Sequence, residues 1–506
     1  MRLFTVSISI CLSLVAWSAP DAEKSDKNLT LIAPKESETP PKITEPVIHQ
    51  SSVTIDGQKI PYKVTTGKLQ LEDDAGKARA SIFHVSYERT DTKDPSKRPV
   101  MFAFNGGPGS SAVWLHIGML GPKIIKLPSN GTTAPLPPVI VTENPLSILD
   151  VCDLVFVDPV STGYSRAEKD AKSTDFHGLD GDIESVGDFI RRWISEHERW
   201  ASPKLILGES YGGIRVAGLS QHLQSRYGMT LNGVILLSSL LDFSTLQAAQ
   251  GNDLAYQVFL PSMTGTAHFH QKISGDLDSL IKESTNFAFG EYSAALLKGV
   301  DLDQATRAKV AEKLSALTGI DLEICLTHDL RIDPAFFRSE LLRKSGKIVG
   351  RFDGRVAWDT TDQTTQFADY DPSYSLAYGA FSTAMLDYLG RELGYKEDQP
   401  YEILTSKVQP WQWNSENQIV NLTDRLASAM RDNPQLRVLV MAGKTDLATP
   451  PEGVAYSIRH MRGLSENARK NVVTTYYDAG HMFYLNPPDL LKSRIDLVNF
   501  IQTTCF

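Results

Sequence analysis

Cysteine is scarce in this sequence, with four residues in 506. That scarcity excludes a disulfide-stapled scaffold. No self-similar period is visible, which excludes a solenoid or propeller. Beyond Trp17 no apolar run is long enough to span a bilayer. Positive charge is not in excess: 51 Lys and Arg stand against 60 Asp and Glu, a net charge of −9. This argues against a nucleic-acid partner. The glycine-rich loop Asn105-Gly106-Gly107-Pro108-Gly109 lacks the Gly-Lys-Ser/Thr ending and the dinucleotide glycine spacing, so it is not a phosphate-binding loop. The histidines form no metal set either. His268 and His270 come nearest, but i and i+2 on a helix point to different sides, and no Cys or carboxylate cluster completes them. The sequence requires no metal and no cofactor.

What is present is ordinary globular material, 42% hydrophobic and 22% charged. The length can hold one large α/β domain with an insertion, or two to three small domains. The opening stands apart. Arg2 precedes an apolar run from Leu3 to Trp17 and then small residues, the pattern of a secretory signal peptide cleaved near Ser18 or Ala19. An uncleaved anchor is the competing reading, and the run is short for one. The expectation is a signal peptide over 1–19 and a disordered leader, rich in Lys, Glu, Pro and Thr, over 20–47. The protein is then exported, to periplasm or extracellular space, with no stable membrane insertion after cleavage. Cys152 lies in the apolar run "VCDLVFVDP" as a core thiol, which leaves at most one bridge, Cys325 with Cys505. Asn28, Asn130 and Asn421 open N-x-[ST] triplets, which matter only in a glycosylating host.

From Ser51 to Glu88 apolar and polar residues alternate, with a turn at Asp56-Gly57, as in antiparallel hairpins. The texture then changes. "RPVMFAFNGG", "CDLVFVDPVSTG", "PKLILGES", "NGVILLSS" and "LRVLVMAGKTD" are near-continuous apolar runs, which is how fully buried parallel strands read. "GDIESVGDFIRRWISEHE" has the spacing of an amphipathic helix between two of them. The alternation predicts an α/β protein, a mostly parallel sheet with helices on both faces. From about Phe243 the rhythm breaks into consecutive helical segments such as "DLDQATRAKVAEKLSALTG", with no buried strand among them. The predicted organisation is a first core part over 48–242, a helical insertion over 243–370 and a second core part over 371–506.

The chemistry gathers at strand ends. Gly208-Glu209-Ser210-Tyr211-Gly212 is G-x-S-x-G after a buried strand and before a helix-compatible segment. There a serine sits on a sharp turn with Oγ exposed, and the helix N-terminus adds positive potential for an oxyanion. A plain strand-to-helix turn is the alternative. A serine nucleophile needs a base, and the base needs an orienting carboxylate, in the order Ser, Asp or Glu, His on this kind of sheet. Asp446 follows the strand in "RVLVMAGKTDLATPPEG", and His481 follows the one in "TTYYDAGHMFYLNPP". Each alone could be a turn residue or a packed histidine, but their order and strand-end placement favour a triad of Ser210, Asp446 and His481. Asn105-Gly106-Gly107-Pro108-Gly109 follows an earlier strand. On a hydrolase sheet such a loop gives one oxyanion N–H and the residue after the nucleophile another, which assigns Gly107 and Tyr211. A turn needing glycine only for its backbone is the competing reading.

"FNGGPGSS", "GESYGG", "AGKTD" and "AGHM", in this order, resemble the serine carboxypeptidases of the α/β-hydrolase fold, over roughly residues 95–500. "GNDLAYQVFLPSMTGTAHFH" and "DPSYSLAYG" resemble bacterial members with similar inserts. The resemblance implies the same triad and oxyanion amides, and peptide or protein C-termini as substrate. It also implies that Asn105 and Glu209 hydrogen-bond the substrate's free C-terminal carboxylate. An ionised carboxylate cannot donate to another, so Glu209 must be protonated to do this. The chain departs from the family at Ala103, where a Trp is common, at "DPVSTGYS" over 158–165, and in lacking the disulfides of eukaryotic members. Three functions follow for comparison: an exported serine carboxypeptidase preferring acid, an esterase or acyltransferase on the same scaffold, and a silent binding protein, which the complete triad disfavours.

Overall fold

The computed structural model describes residues 45–506. The expected signal peptide and nearly all of the leader lie outside these residues. Val47, placed in the leader by composition, is already the first residue of a strand, paired with Thr66.

Nine strands form the main path of a ten-stranded sheet: β1 (Val47–Ile55), β2 (Gln58–Glu72), β3 (Ala78–Arg89), β4 (Val100–Phe104), β5 (Asp153–Val157), β6 (Lys204–Glu209), β7 (Gly233–Leu237), β8 (Arg437–Gly443) and β9 (Val472–Tyr477). They lie in the order β1-β2-β3-β5-β4-β6-β7-β8-β9, and the short strand Arg166–Ala167 pairs with β3. β1, β2, β3 and β5 pair antiparallel; every pairing from β5 through β4 to β9 is parallel. The first hairpin turns at Asp56 and Gly57, both at positive φ (48° and 77°), with Ile55 opposite Gln58. That is the two-residue turn whose twist suits paired strands.

The apolar runs are buried on both faces, and alternate residues serve alternate cores. Met101, Leu205, Leu207, Ile235 and Met441 face one core with helices Pro372–Asp387 and Pro487–Cys505. Phe102, Ile206, Val234, Leu236 and Val440 face the other with helices Leu179–Glu196, Gly212–Tyr227 and Thr423–Asp432. Each such side chain contributes roughly 1.5–3 kcal/mol when fully buried.

Helices Leu254–Phe269, Leu277–Phe287, Gln304–Thr318 and Pro334–Glu340 pack around a cluster of their own that includes Phe259, Leu314 and Phe337. Helix Gln304–Thr318 starts where the Asp303 carboxylate accepts the Thr306 N–H and stops at Gly319, φ 70°. An expectation of helices alone misses the hairpin Lys347–Val349 with Ala357–Asp359. Three-residue strands are too short to show alternation. The three cysteines of the described chain are free thiols. Cys325 is buried in the helical cluster, whereas Cys505 packs against the sheet, so the expected bridge does not form. Among the described residues no helix is long and apolar enough to cross a membrane.

Candidate active site

β4 lies between β5 and β6, so strand order reverses there, and the loops leaving β4 and β6 part at neighbouring strand ends. Ser210 follows β6 at φ 63°. Its amide bonds to the carbonyls of Leu237 (3.1 Å) and Ser238 (3.2 Å), which hold this strained conformation in place. A Cβ on Gly208 would stand 2.0 Å from the Gly212 carbonyl oxygen, so the turn closes only on glycine. A Cβ on Gly106 would stand 2.4 Å from the Tyr211 nitrogen, so the β4 loop lies directly on the turn. Ser210 is half-exposed and Gly107 exposed. Among the described residues neither the Gly107 nor the Tyr211 N–H donates to a protein acceptor. Two unspent donors next to such a serine can hold an anionic oxygen.

Asp446 and His481 are brought together from the loops after β8 and β9. The imidazole Nδ1 lies 2.8 Å from Asp446 Oδ2, with both side chains buried. Asp446 Oδ1 accepts the N–H groups of Ala448 (2.7 Å) and Thr449 (2.9 Å). The Thr449 hydroxyl donates to the Ser238 carbonyl (2.6 Å), which leaves its lone pairs toward Nδ1 at 3.0 Å. This network assigns the ring proton to Nδ1 and leaves Nε2 free to take one. Burial disfavours the imidazolium, but the Asp446 charge and hydrogen bond, helped by Glu209, outweigh it and raise the His481 pKa. The Phe352 ring stacks on the imidazole at 5.0 Å, and the His481 N–H bonds to the Phe352 carbonyl at 2.5 Å. Ser238 joins the parts: its carbonyl takes the Ser210 N–H and the Thr449 hydroxyl, and its Oγ donates to the His481 carbonyl at 2.7 Å.

Asn105 and Glu209 meet because Phe104 of β4 pairs with Gly208 of β6. Asn105 Nδ2 donates to Glu209 Oε2 at 2.8 Å, and Asn105 Oδ1 accepts the Leu115 N–H at 3.2 Å. The second Nδ2 hydrogen is left over. Burial pushes the Glu209 carboxyl up to about 7, against the His481 charge and the hydrogen bonds from Tyr484 and Asn105, which lower it. From behind, the buried Arg215 guanidinium donates to the Asn105 carbonyl (2.6 Å) and pairs with Asp182 (2.9 Å).

Two departures noted in the sequence have structural places. Ala103 is fully buried in the core and does not line the cleft. In "DPVSTGYS", Asp158 accepts the Ala112 N–H at 2.8 Å and so anchors the segment whose Leu115 amide holds Asn105. Sequence reasoning missed Thr449, Ser238, Phe352 and Tyr484. Tyr484 lies three residues after His481 in a quoted segment, and Thr449 three after Asp446, but no motif marks either.

A family model described as serine carboxypeptidase matches residues 56–484. Serine carboxypeptidase-like 20 of Arabidopsis thaliana is 30% identical over 168 residues, covering 32% of this chain and 31% of that protein. Serine carboxypeptidase-like 16 of the same plant is 26% identical over 257 residues, 47% of this chain and 56% of that one. The chain thus spans between about a third and just over half of the length of these curated relatives. The crystal structure of Kex1(delta)p, a prohormone-processing carboxypeptidase from Saccharomyces cerevisiae, superposes with a TM-score of 0.56 at 16% identity, over 87% of this chain and 92% of that one. The likeness to it is one of fold, the α/β-hydrolase fold.

Proposed function

Since the chain belongs to the serine carboxypeptidase family, we propose that it is a serine-type carboxypeptidase, removing C-terminal residues from peptides through an acyl-enzyme on Ser210. The observation that carries this reading is the buried Asn105–Glu209 pair at the turn bearing Ser210. A neutral Glu209 and the spare Nδ2 hydrogen of Asn105 together offer two donors to a carboxylate, beside the nucleophile. A general esterase has no need of them.

In the first step Ser210 Oγ attacks the last peptide carbonyl while His481 Nε2 takes its proton. The oxyanion forms against the Gly107 and Tyr211 amides. Asp446 holds the Nδ1 proton and stabilises the imidazolium. Collapse breaks the C–N bond, and His481 returns the proton to the leaving amine. Water then enters and attacks the ester carbonyl as His481 takes its proton; collapse breaks the bond to Ser210 Oγ, His481 returns that proton to Oγ, and the shortened peptide leaves as its free acid.

Export to periplasm or extracellular space rests on the first 19 residues alone, and N-terminal sequencing of the mature protein tests it. The narrower likeness to bacterial members rests on the two stretches quoted for it. The test of the activity compares a peptide with a free C-terminus and the same peptide as its C-terminal amide. Rapid release of the last residue from the free acid, with the amide slow, supports the reading. Equal rates on both would leave the esterase or acyltransferase reading in its place.

A further inference from the structure

Glu209 has a second partner that no sequence motif marks. The Tyr484 hydroxyl lies 2.9 Å from Glu209 Oε2, the same oxygen that accepts Asn105 Nδ2 at 2.8 Å. Tyr484 is buried, and among the described residues its hydroxyl has no other acceptor. A buried hydroxyl left without an acceptor loses the desolvation free energy of its donor, so the hydrogen goes to Oε2. Oε2 then receives two donors and has no lone pair left for a proton of its own. Oε1 meets no hydrogen-bond partner among the described residues, and it is not among the sealed-in unpartnered atoms.

From this geometry we propose that Tyr484 is a positioning residue: with Asn105 it fixes the acid proton of neutral Glu209 on Oε1, aimed at the C-terminal carboxylate of the peptide. The inference rests on the carboxypeptidase reading above. Without Tyr484 one lone pair of Oε2 is released, so the proton can sit on either oxygen and part of the neutral population would present an acceptor to an anion. The ionisable groups facing the carboxyl are His481, Asp446 and Tyr484 itself. The Tyr484 ring is closely packed: a Cβ on Gly118 would stand 3.0 Å from it and 3.0 Å from the Phe381 ring. Tyr484→Phe keeps that packing and removes only the hydroxyl.

The sign of the effect separates the alternatives. A donor to a carboxylate stabilises the ionised form, so Tyr484 holds the Glu209 pKa down. In Tyr484→Phe the alkaline fall of kcat/KM for a free-acid peptide moves to higher pH by about one unit, relative to the profile of a blocked ester in the same variant. Below that fall KM for the peptide rises several-fold while kcat changes less, because the loss is one of binding orientation. Circular dichroism and thermal unfolding check that the variant is folded, and Tyr484→Leu, without ring or hydroxyl, serves as the control for packing alone. An unmoved alkaline limb in a folded Tyr484→Phe would reduce Tyr484 to packing and overturn the proposal. A limb moved to lower pH would overturn it differently, since it would mean that neutral Glu209 donates from Oε2 to Tyr484. If instead the wild-type profiles of peptide and ester coincide, it is the carboxylate-clamp reading itself that fails.

Discussion

The Thr449 hydroxyl donates to the Ser238 carbonyl at 2.6 Å and lies 3.0 Å from His481 Nδ1. Through this one side chain the loop carrying Asp446 is fastened to the strand end that holds Ser210 in its turn. Thr449→Val keeps shape and removes the hydroxyl's contacts with Ser238, Asp446 and His481. We expect it to lower stability by about 1–2 kcal/mol and kcat by about tenfold, read from urea unfolding and from ester turnover. Wild-type values for both would show that Asp446 alone orients the ring.

Ser210 is expected to be the residue acylated. A fluorophosphonate adduct mapped by mass spectrometry should fall there, and Ser210→Ala should lose turnover while remaining folded. Labelling at another serine would refute the assignment, which stands on the φ of 63° and the unspent amides around it.

Asp446→Asn tests the partner of the imidazole. The amide oxygen can still accept the Ala448 and Thr449 N–H groups, so folding should survive. The charge next to Nδ1 is gone, and the ring can settle in the wrong tautomer. Turnover should fall by about 10³–10⁴-fold, measured with a chromogenic ester. A loss of only a few-fold would place the orienting group elsewhere.

Chain-end selectivity should reside in Asn105 and Glu209. Alanine at either position should weaken hydrolysis of free-acid peptides by about 1.5–3 kcal/mol more than hydrolysis of simple esters. Equal losses on both substrates would mark the pair as a support of the β4 loop.

The pH dependence follows from two groups that must be in opposite states. His481 must be neutral to act as base, and its pKa is raised, so activity on any substrate grows as pH rises through that value. Glu209 must be protonated to hold a carboxylate, and burial puts it at about 7, so peptide hydrolysis should fall as pH rises beyond that. Both lie in one site, and the measured limbs belong to the pair. A peptide should therefore show an alkaline fall that a blocked ester lacks. Glu209→Gln should abolish the fall, and its persistence in that variant would remove Glu209 from the clamp.

The sequence was most readable where burial left no choice. β4, β6, β7 and β8 are covered on both faces and appear as unbroken apolar runs, whose ends locate Asn105, Ser210 and Asp446. The residues that complete the site were not readable because their meaning depends on remote partners. Tyr484 and Glu209 are 275 positions apart, and Thr449 and Ser238 are 211 apart. In its own neighbourhood each is an unremarkable polar or aromatic residue. The expected Cys325–Cys505 bridge failed for the same reason, since elimination among three cysteines says nothing about which core each one enters.

Phe352 changes what can be done with this scaffold. It comes from the stretch between the two halves of the sheet, yet its ring backs the imidazole and its carbonyl holds the His481 backbone. The segment over the sheet is thus not an interchangeable cap. A chimera that exchanges residues 243–370 for a cap from another hydrolase would retain Ser210, Asp446 and His481 and still leave the imidazole without the ring that stacks on it. Transplanting new specificity into this fold requires leaving the short stretch around Phe352 in place and cutting on either side of it.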